Sequence, residues 1–238
     1  RKEYEVINGR LAVKNPDIYY ADKLNFLRIF EEGLRTGLLI HPNEMRMVSA
    51  SLDRIDDDMR TNPEAQRIFL DLLLKHGNPE RALRRMNELG ALAAFIPEFE
   101  PIVAMMQFNM YHSYTVDEHT IQVIKSLAQI ERAELEEELP IASSILHAGI
   151  NRKVIYVALL LHDIGKGRSE DHSILGAKIA RKVAPHMAKL YHRLIRKQRS
   201  LVALIASSWF VTISYNSHSV VPTNNNFIVP ASPTKAKR

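Results

Sequence analysis

The chain has 238 residues, of which 46% are hydrophobic and 25% charged, so it can bury a sizeable core in one or two domains, and disorder is not expected. It has no cysteine, which excludes disulfides, thiolate metal sites and a cysteine nucleophile, and which fits a reducing, cytoplasmic location. No apolar run approaches the roughly 20 residues of a membrane-spanning helix, so we expect no membrane partner.

The net charge of +5 is unevenly distributed along the chain. Residues 1–171 hold all 27 acidic residues and 21 of the 32 Lys and Arg, a balance of 21 − 27 = −6. The other 11 basic residues lie between Lys178 and Arg238, where acids are absent. Soluble domains mix both signs, so this is a break in composition rather than a basic binding patch, and we expect no nucleic-acid partner.

The first predicted element is a short β-hairpin. The segment YEVINGRLAV alternates apolar and polar residues around Asn8-Gly9, a dipeptide that supplies the two positive φ angles of a type I′ turn. The opening RKEYEVINGR has neither an initiator methionine nor an apolar signal segment, so we expect a part of a longer protein. From the hairpin to about residue 186, the pattern predicts helices.

Two helix starts are well marked in the first helical group. Asn62 and Asn78 are each followed by Pro-Glu, which places an N-cap, a proline at the first helical position and an acid in the first turn. Gly77 and Gly90 are the predicted stops. Apolar stripes at helical spacing follow the two starts, which predicts packing on a common core: Ile68, Phe69, Leu72, Leu73 and then Leu83, Met86, Leu89.

A second helical group follows a break between Pro97 and Pro101. Thr115 and Glu118 have the spacing of a capping box, which places His119 in the first turns of a helix. The segment 154–161, VIYVALLL, is apolar on every side, which predicts a helix buried in the middle of a bundle.

The buried helix runs directly into the sequence HDIGKG. Gly165 and Gly167 allow a tight loop, Asp171 or Ser173 can cap a further helix, and Pro185 is its predicted stop. From about residue 187 periodicity is lost. The alternatives are an unusual basic tail and a sequence that is non-native or translated out of frame, and we expect the second.

One group of ionisable residues stands above the background. His119 is followed by His162-Asp163 at the end of the apolar helix, and then by Lys166, Arg168 and His172 in the loop beyond. Buried imidazole and carboxylate groups must be satisfied, and a divalent cation held between helices does so directly. Lys166 and Arg168 would neutralise a phosphate beside that cation. The alternative is that His162-Asp163 is a cap or a hydrogen-bonded core pair and that His119 and His172 are surface histidines.

These residues carry a family resemblance. YHSYTVDEHT…LLLHDIGKG…EDHS resembles the first part of the signature of the HD phosphohydrolases, which are named for a histidine-aspartate pair. MNELGALAAFIPEF and PIVAMMQFNMYHSYTVDEHT resemble, more specifically, the bifunctional uridylyltransferase/uridylyl-removing enzymes that act on the PII signalling protein. The resemblance covers about residues 1–186.

The resemblance implies an all-α fold, a helical bundle of the HD type preceded by a helical linker region and the hairpin. It implies a linker region at 1–110, an incomplete HD core at 111–186 and the anomalous tail at 187–238. His119, His162 and Asp163 would be ligands of a divalent metal ion, Mg or Mn. Catalytic roles fall to Asp163, to Lys166 as a phosphate contact, and to His172 as a ligand or acid near the leaving group. The implied reaction is hydrolysis of UMP from uridylylated PII.

Two departures from the family pattern keep alternatives open. The glycine-serine motif of the transferase half is absent, so we expect no UTP-dependent uridylylation. The late His-His pair and the last aspartate ligand should follow residue 186, where this chain has neither His-His nor any acid. The chain would then be a catalytically dead helical module that at most binds proteins. A third alternative is an HD hydrolase of a free nucleotide.

Overall fold

The computed structural model describes residues 2–106, 114–147 and 151–187. These residues are mainly helical, with one small sheet near the N-terminus, which confirms the predicted helical class and its N-terminal hairpin. Among these residues, no helix is both long and apolar enough to cross a membrane. We expect the tail to be non-native sequence. From residue 188 onward, it lies outside the described residues.

The sheet contains one strand more than the sequence predicts. Strands β1 (Tyr4–Ile7) and β2 (Arg10–Val13) form the predicted antiparallel hairpin, with φ of 50° at Asn8 and 72° at Gly9. A third strand, β3 (Leu39–Ile40), pairs in parallel with β2. Two residues are too few to show an alternating pattern, so only the pairing itself reveals this strand.

Among the described residues, the first helical group contains seven α-helices and two 3₁₀ helices, the latter at Leu52–Arg54 and Pro97–Ile102. Their bounds are α1 Ile18–Ala21, α2 Asn25–Thr36, α3 Pro42–Ala50, α4 Asp57–Thr61, α5 Pro63–Leu74, α6 Pro79–Glu88 and α7 Ala91–Phe95. The Oδ1 atom of Asn62 accepts hydrogen bonds from the backbone at Glu64 and Ala65, which confirms that cap. Within the described chain, Asn78 precedes α6 without a side-chain cap bond, although the helix begins where predicted.

The core of this group is the one that the apolar stripes predict. Ile68, Phe69 and Leu72 on α5 are fully buried, as are Leu83 and Met86 on α6. Both helices pack against α2, and α6 also packs against the second helical group. The two groups therefore share one continuous hydrophobic core.

The second group contains α8 (Val116–Glu131), α9 (Pro140–His147), α10 (Arg152–Leu161) and α11 (His172–Met187). Every residue of α10 from 154 to 161 is buried, as predicted. Asp171 caps α11 by accepting hydrogen bonds from the backbone at Ser173 and Ile174. Pro185 lies within the described range of α11, so the predicted stop at this proline is wrong.

The predicted capping box at the start of α8 is wrong. Within the described residues, Thr115 makes no side-chain cap hydrogen bond, although it does occupy the N-cap position. The carboxylate of Glu118 instead forms an ion pair with Arg84 of α6, with 2.7 Å between Oε1 and Nη2. The guanidinium of Arg84 carries a full charge, so its pair with Glu118 adds an attraction between opposite charges that a capping bond to a neutral backbone N–H lacks.

Two buried tyrosines should make the fold less stable at alkaline pH. The hydroxyls of Tyr19 and Tyr156 each donate at 2.8 Å to a carboxylate, that of Glu44 and that of Glu131 respectively. Burial, which is the larger cause, and the nearby carboxylate both raise the pKa of the two phenols above the usual value of about 10. Their contribution to stability is therefore complete below about pH 10 and is lost as the pH rises further.

We expect the melting temperature to fall between about pH 10 and pH 11, while phenolate absorbance at 295 nm rises together with unfolding. The double variant Tyr19→Phe/Tyr156→Phe is the control, since deprotonation of lysines affects it equally. Its melting temperature should fall less over the same range. Equal falls in the two proteins would contradict the assignment to these phenols.

Candidate metal centre

The candidate centre lies where α8 packs against the end of α10. His119 is in the first turn of α8, His162 directly follows α10, and Asp163 is the next residue. One donor atom from each of these three residues lies within 4.8 Å of the other two. The centroids of the two imidazole rings are 5.7 Å apart. His119 is more than forty residues from the His162-Asp163 pair in sequence, and the fold brings these three predicted ligands together.

The orientation of His162 leaves one ring nitrogen facing the carboxylate. Its Nδ1 lies 2.6 Å from the carbonyl oxygen of Leu159, so that nitrogen carries the proton and donates it. In the neutral ring, Nε2 then bears a lone pair, and it lies 3.2 Å from Oδ2 of Asp163. Two lone pairs at this distance require a proton or a cation between them. Metal-binding histidines typically donate a hydrogen bond from their other ring nitrogen to a backbone carbonyl or a carboxylate, as His162 does to Leu159.

Asp163 is ionised in this setting. Its side chain is 11% exposed, and Lys166 Nζ lies 2.8 Å from Oδ2. Burial by itself raises the pKa of Asp163. Hydrogen bonds and positive charge, from His162 when its Nε2 also carries a proton and from Lys166, outweigh burial and bring the pKa well below its usual range. The carboxylate is therefore available as an anionic oxygen ligand at neutral pH.

The loop that follows is shaped by two close approaches. A Cβ at Gly165 would lie 2.6 Å from the backbone nitrogen of Gly176 and closer still to the carbonyl oxygen of His172. Gly167 has φ of 75°, and a Cβ there would lie 2.5 Å from the carbonyl oxygen of Pro101. The loop is thus held between the 3₁₀ helix Pro97–Ile102 and the first turns of α11, where only glycine leaves enough room.

The other predicted residues have different surroundings. The Arg168 guanidinium donates to the carbonyl oxygens of Ile164, Lys166 and Glu98, so it fixes the loop rather than facing a phosphate. In the part of the chain that the structure describes, His172 is not in the three-residue cluster, and its side chain is exposed at the start of α11. Its catalytic role stays a prediction.

The donor set suits a divalent cation. Metal–ligand distances of about 2.0–2.3 Å place ligands on one ion up to about 4.6 Å apart, close to the 4.8 Å found here. Two imidazoles and a carboxylate suit Mn, Fe or Zn, or Mg with more water. Three protein ligands leave coordination positions open for water and substrate. The resemblance places further ligands after residue 186, and of that part of the chain the structure describes only Met187.

Sequence reasoning missed one acidic residue beside the centre. Asp117 is only 4% exposed and accepts a hydrogen bond from Nδ2 of Asn87 at 2.7 Å. Acidic residues are common in the first turn of a helix because the helix dipole favours them. An aspartate at position 117 therefore does not indicate from the sequence that its side chain is buried. Asn87 lies at the end of α6 and has no distinguishing sequence signal.

A histidine on one helix, together with a histidine-aspartate pair at the end of a neighbouring buried helix, defines a domain of the HD class. Residues 116–207 match the family model described as HD domain. Residues 4–95 match the model described as Uridylyltransferase GlnD third domain.

Relatives of known name agree with both matches. The bifunctional uridylyltransferase/uridylyl-removing enzyme of Ruegeria pomeroyi is 76% identical over 187 residues, which are 79% of this chain and 21% of the relative. The enzyme of the same name from Cereibacter sphaeroides is 72% identical over 185 residues, 78% of this chain and 20% of the relative. The chain carries a third-domain region and an HD domain of the bifunctional uridylyltransferase/uridylyl-removing enzyme family, and it spans about a fifth of the length of these relatives.

Proposed function

We propose that this chain contains the site that hydrolyses UMP from uridylylated PII protein, as a metal-dependent reaction of the cytoplasm. The observation that carries the proposal is the meeting of His119, His162 and Asp163 within 4.8 Å. The names of the relatives, which include a uridylyl-removing activity, support the choice of reaction. A chain without cysteine suits that compartment.

The proposed reaction is hydrolysis of a phosphodiester. The oxygen of a water attacks phosphorus, the bond from phosphorus to the tyrosyl oxygen of PII breaks, and the products are UMP and the free tyrosine. A bound Mg or Mn ion supplies Lewis-acid polarisation of a phosphoryl oxygen and makes a water more acidic.

The residues of the chain have separate roles in this proposal. His119, His162 and Asp163 would hold the cation, and the hydrogen bond from His162 Nδ1 to Leu159 leaves Nε2 as the ring nitrogen that would bind it. Lys166, with Nζ 2.8 Å from Asp163, orients that carboxylate and adds positive charge for the phosphate. His172, exposed at the start of α11, would give a proton to the departing tyrosyl oxygen.

The test is incubation of the chain with uridylylated PII and either Mn or Mg, with chromatographic measurement of UMP. We expect release that requires the cation and that a chelator stops. Release of no UMP under any divalent cation, from a chain that is folded by circular dichroism, would overturn the proposal. That result would leave the catalytically inactive, protein-binding module as the better description.

A panel of free nucleotides separates the remaining alternative. The proposal predicts turnover of uridylylated PII at rates well above that of any free nucleotide at equal concentration. The reverse order would identify the chain as a nucleotide hydrolase of the same class.

A further inference from the structure

Asp117 is a buried carboxylate near the centre that the proposed reaction does not use. It lies two residues before His119 and is 4% exposed. Its Oδ2 accepts from Asn87 Nδ2 at 2.7 Å and from the backbone nitrogen of Ala104 at 3.1 Å. A carboxylate in the first turn of a helix interacts favourably with the helix dipole even when it is exposed to water. The dipole therefore does not explain why Asp117 is buried.

Besides its local bonds to Thr115 and the backbone of Glu118, Asp117 has two partners from different parts of the chain. Asn87 is in α6, within the region that matches the third-domain model, while Ala104 follows the 3₁₀ helix Pro97–Ile102. The neighbouring Glu118 adds a second link to α6 through its ion pair with Arg84. The first turn of α8, which carries His119, is thus tied to α6 by two carboxylates.

The connecting segment 97–105 contacts both halves of the metal centre. On one side, Ala104 donates to Asp117, and Met105 accepts a hydrogen bond from the backbone of Val116 at 2.9 Å. On the other side, the carbonyl oxygen of Glu98 accepts from Arg168 at 2.9 Å, in the loop that follows Asp163. Pro101 packs against that same loop at Gly167. One short segment therefore relates the helix of His119 to the loop of His162-Asp163.

We propose that Asp117 is a positioning residue that, with Asn87 and the segment 97–105, sets the place of His119 relative to His162-Asp163. The third-domain region is then a part of the metal centre's support rather than a passive linker. The consequence for cation binding rests on the proposed function, whereas the placement of α8 does not.

The expected effect follows from the bonds that Asp117 makes. Asp117→Ala leaves two part-buried donors without this acceptor, so the first turn of α8 shifts or loosens. Asp117→Asn keeps an oxygen that can accept from both donors and has almost the same shape. Tyr19→Phe is the matched control, because it removes a buried hydrogen bond to a carboxylate between α1 and α3.

The experiment uses the full chain and measures Mn affinity by calorimetry, melting temperature, and amide hydrogen exchange of residues 116–120. We expect Asp117→Ala to weaken Mn binding about 10-fold or more and to speed exchange in this turn. Asp117→Asn should recover most of both, and Tyr19→Phe should lower the melting temperature with unchanged Mn affinity. Unchanged affinity in Asp117→Ala, or an equal loss in Tyr19→Phe, would overturn the inference.

Hydrogen exchange separates this inference from the proposed function. If the unmodified chain binds no Mn, the proposed function fails and exchange alone decides the positioning role. Faster exchange at 116–120 in Asp117→Ala, with α10 unchanged, would then support that role. Unchanged exchange in that turn would refute it.

Discussion

Replacement of Asp163 by asparagine should abolish cation binding and UMP release together while the fold is retained. The substitution keeps the shape of the side chain and an oxygen 2.8 Å from Lys166, but it removes the only carboxylate of the three-residue cluster in the described part of the chain. Loss of a second-sphere partner costs about 10–100-fold in metal affinity, so loss of a direct anionic ligand should cost more than about 100-fold.

Calorimetric titration with Mn and the UMP assay on the same preparation provide the measurement. Asp163→Ala should give the same loss of binding with a larger fall in melting temperature, because the hydrogen bond from Lys166 to this side chain is then lost as well. The control is Asp56→Asn, which removes the charge of a carboxylate paired with Lys23 in the first helical group and should leave Mn affinity intact. Wild-type Mn affinity in Asp163→Asn would show that the cluster is not the binding site.

Substitution of Gly165 by alanine should be the most destabilising single methyl addition in the HDIGKG loop. The new Cβ would collide with the backbone at His172 and Gly176, and backbone atoms, unlike the end of a flexible side chain, cannot turn aside. The first turns of α11 must move away from the loop, at a cost of about 3 kcal/mol in the free energy of unfolding. Urea denaturation followed by circular dichroism measures this loss.

Gly176 offers a matched control on the other side of the same contact. A Cβ at Gly176 would meet the nitrogen of Gly165 at 3.4 Å, which is ordinary van der Waals contact. Because Gly176 is in the interior of α11, its replacement by alanine should stabilise the chain by about 0.5–1 kcal/mol. Equal stability of the two alanine variants would refute the close approach of α11 to the loop.

The buried part of the fold could be predicted where a pattern is local. The eight apolar residues of 154–161 indicated a buried helix because no face of that helix offers a polar side chain to water. Asn62 and Asp171 could be recognised as caps because each bonds to backbone only two or three residues away. The hairpin followed from the conformational preference of Asn8-Gly9.

Local patterns failed where a distant partner was stronger or the element was very short. Glu118 has the spacing of a capping box, yet it pairs with Arg84, 34 residues earlier in the chain. Arg168 has the charge to bind a phosphate, yet it donates to backbone carbonyls, one of them 70 residues away. Strand β3 exists only through its pairing with β2.

By itself, the sequence determined the chemistry that the site can offer: two imidazoles and one carboxylate at the ends of helices, beside a loop whose glycines admit close packing. These features depend on residue type and on neighbours within a turn or two. Only the tertiary structure decided that His119 lies beside His162-Asp163, and that Asp117 holds the first turn of α8 against Asn87 and Ala104. Such contacts join segments separated by loops, and their geometry is set by the packing of the whole core.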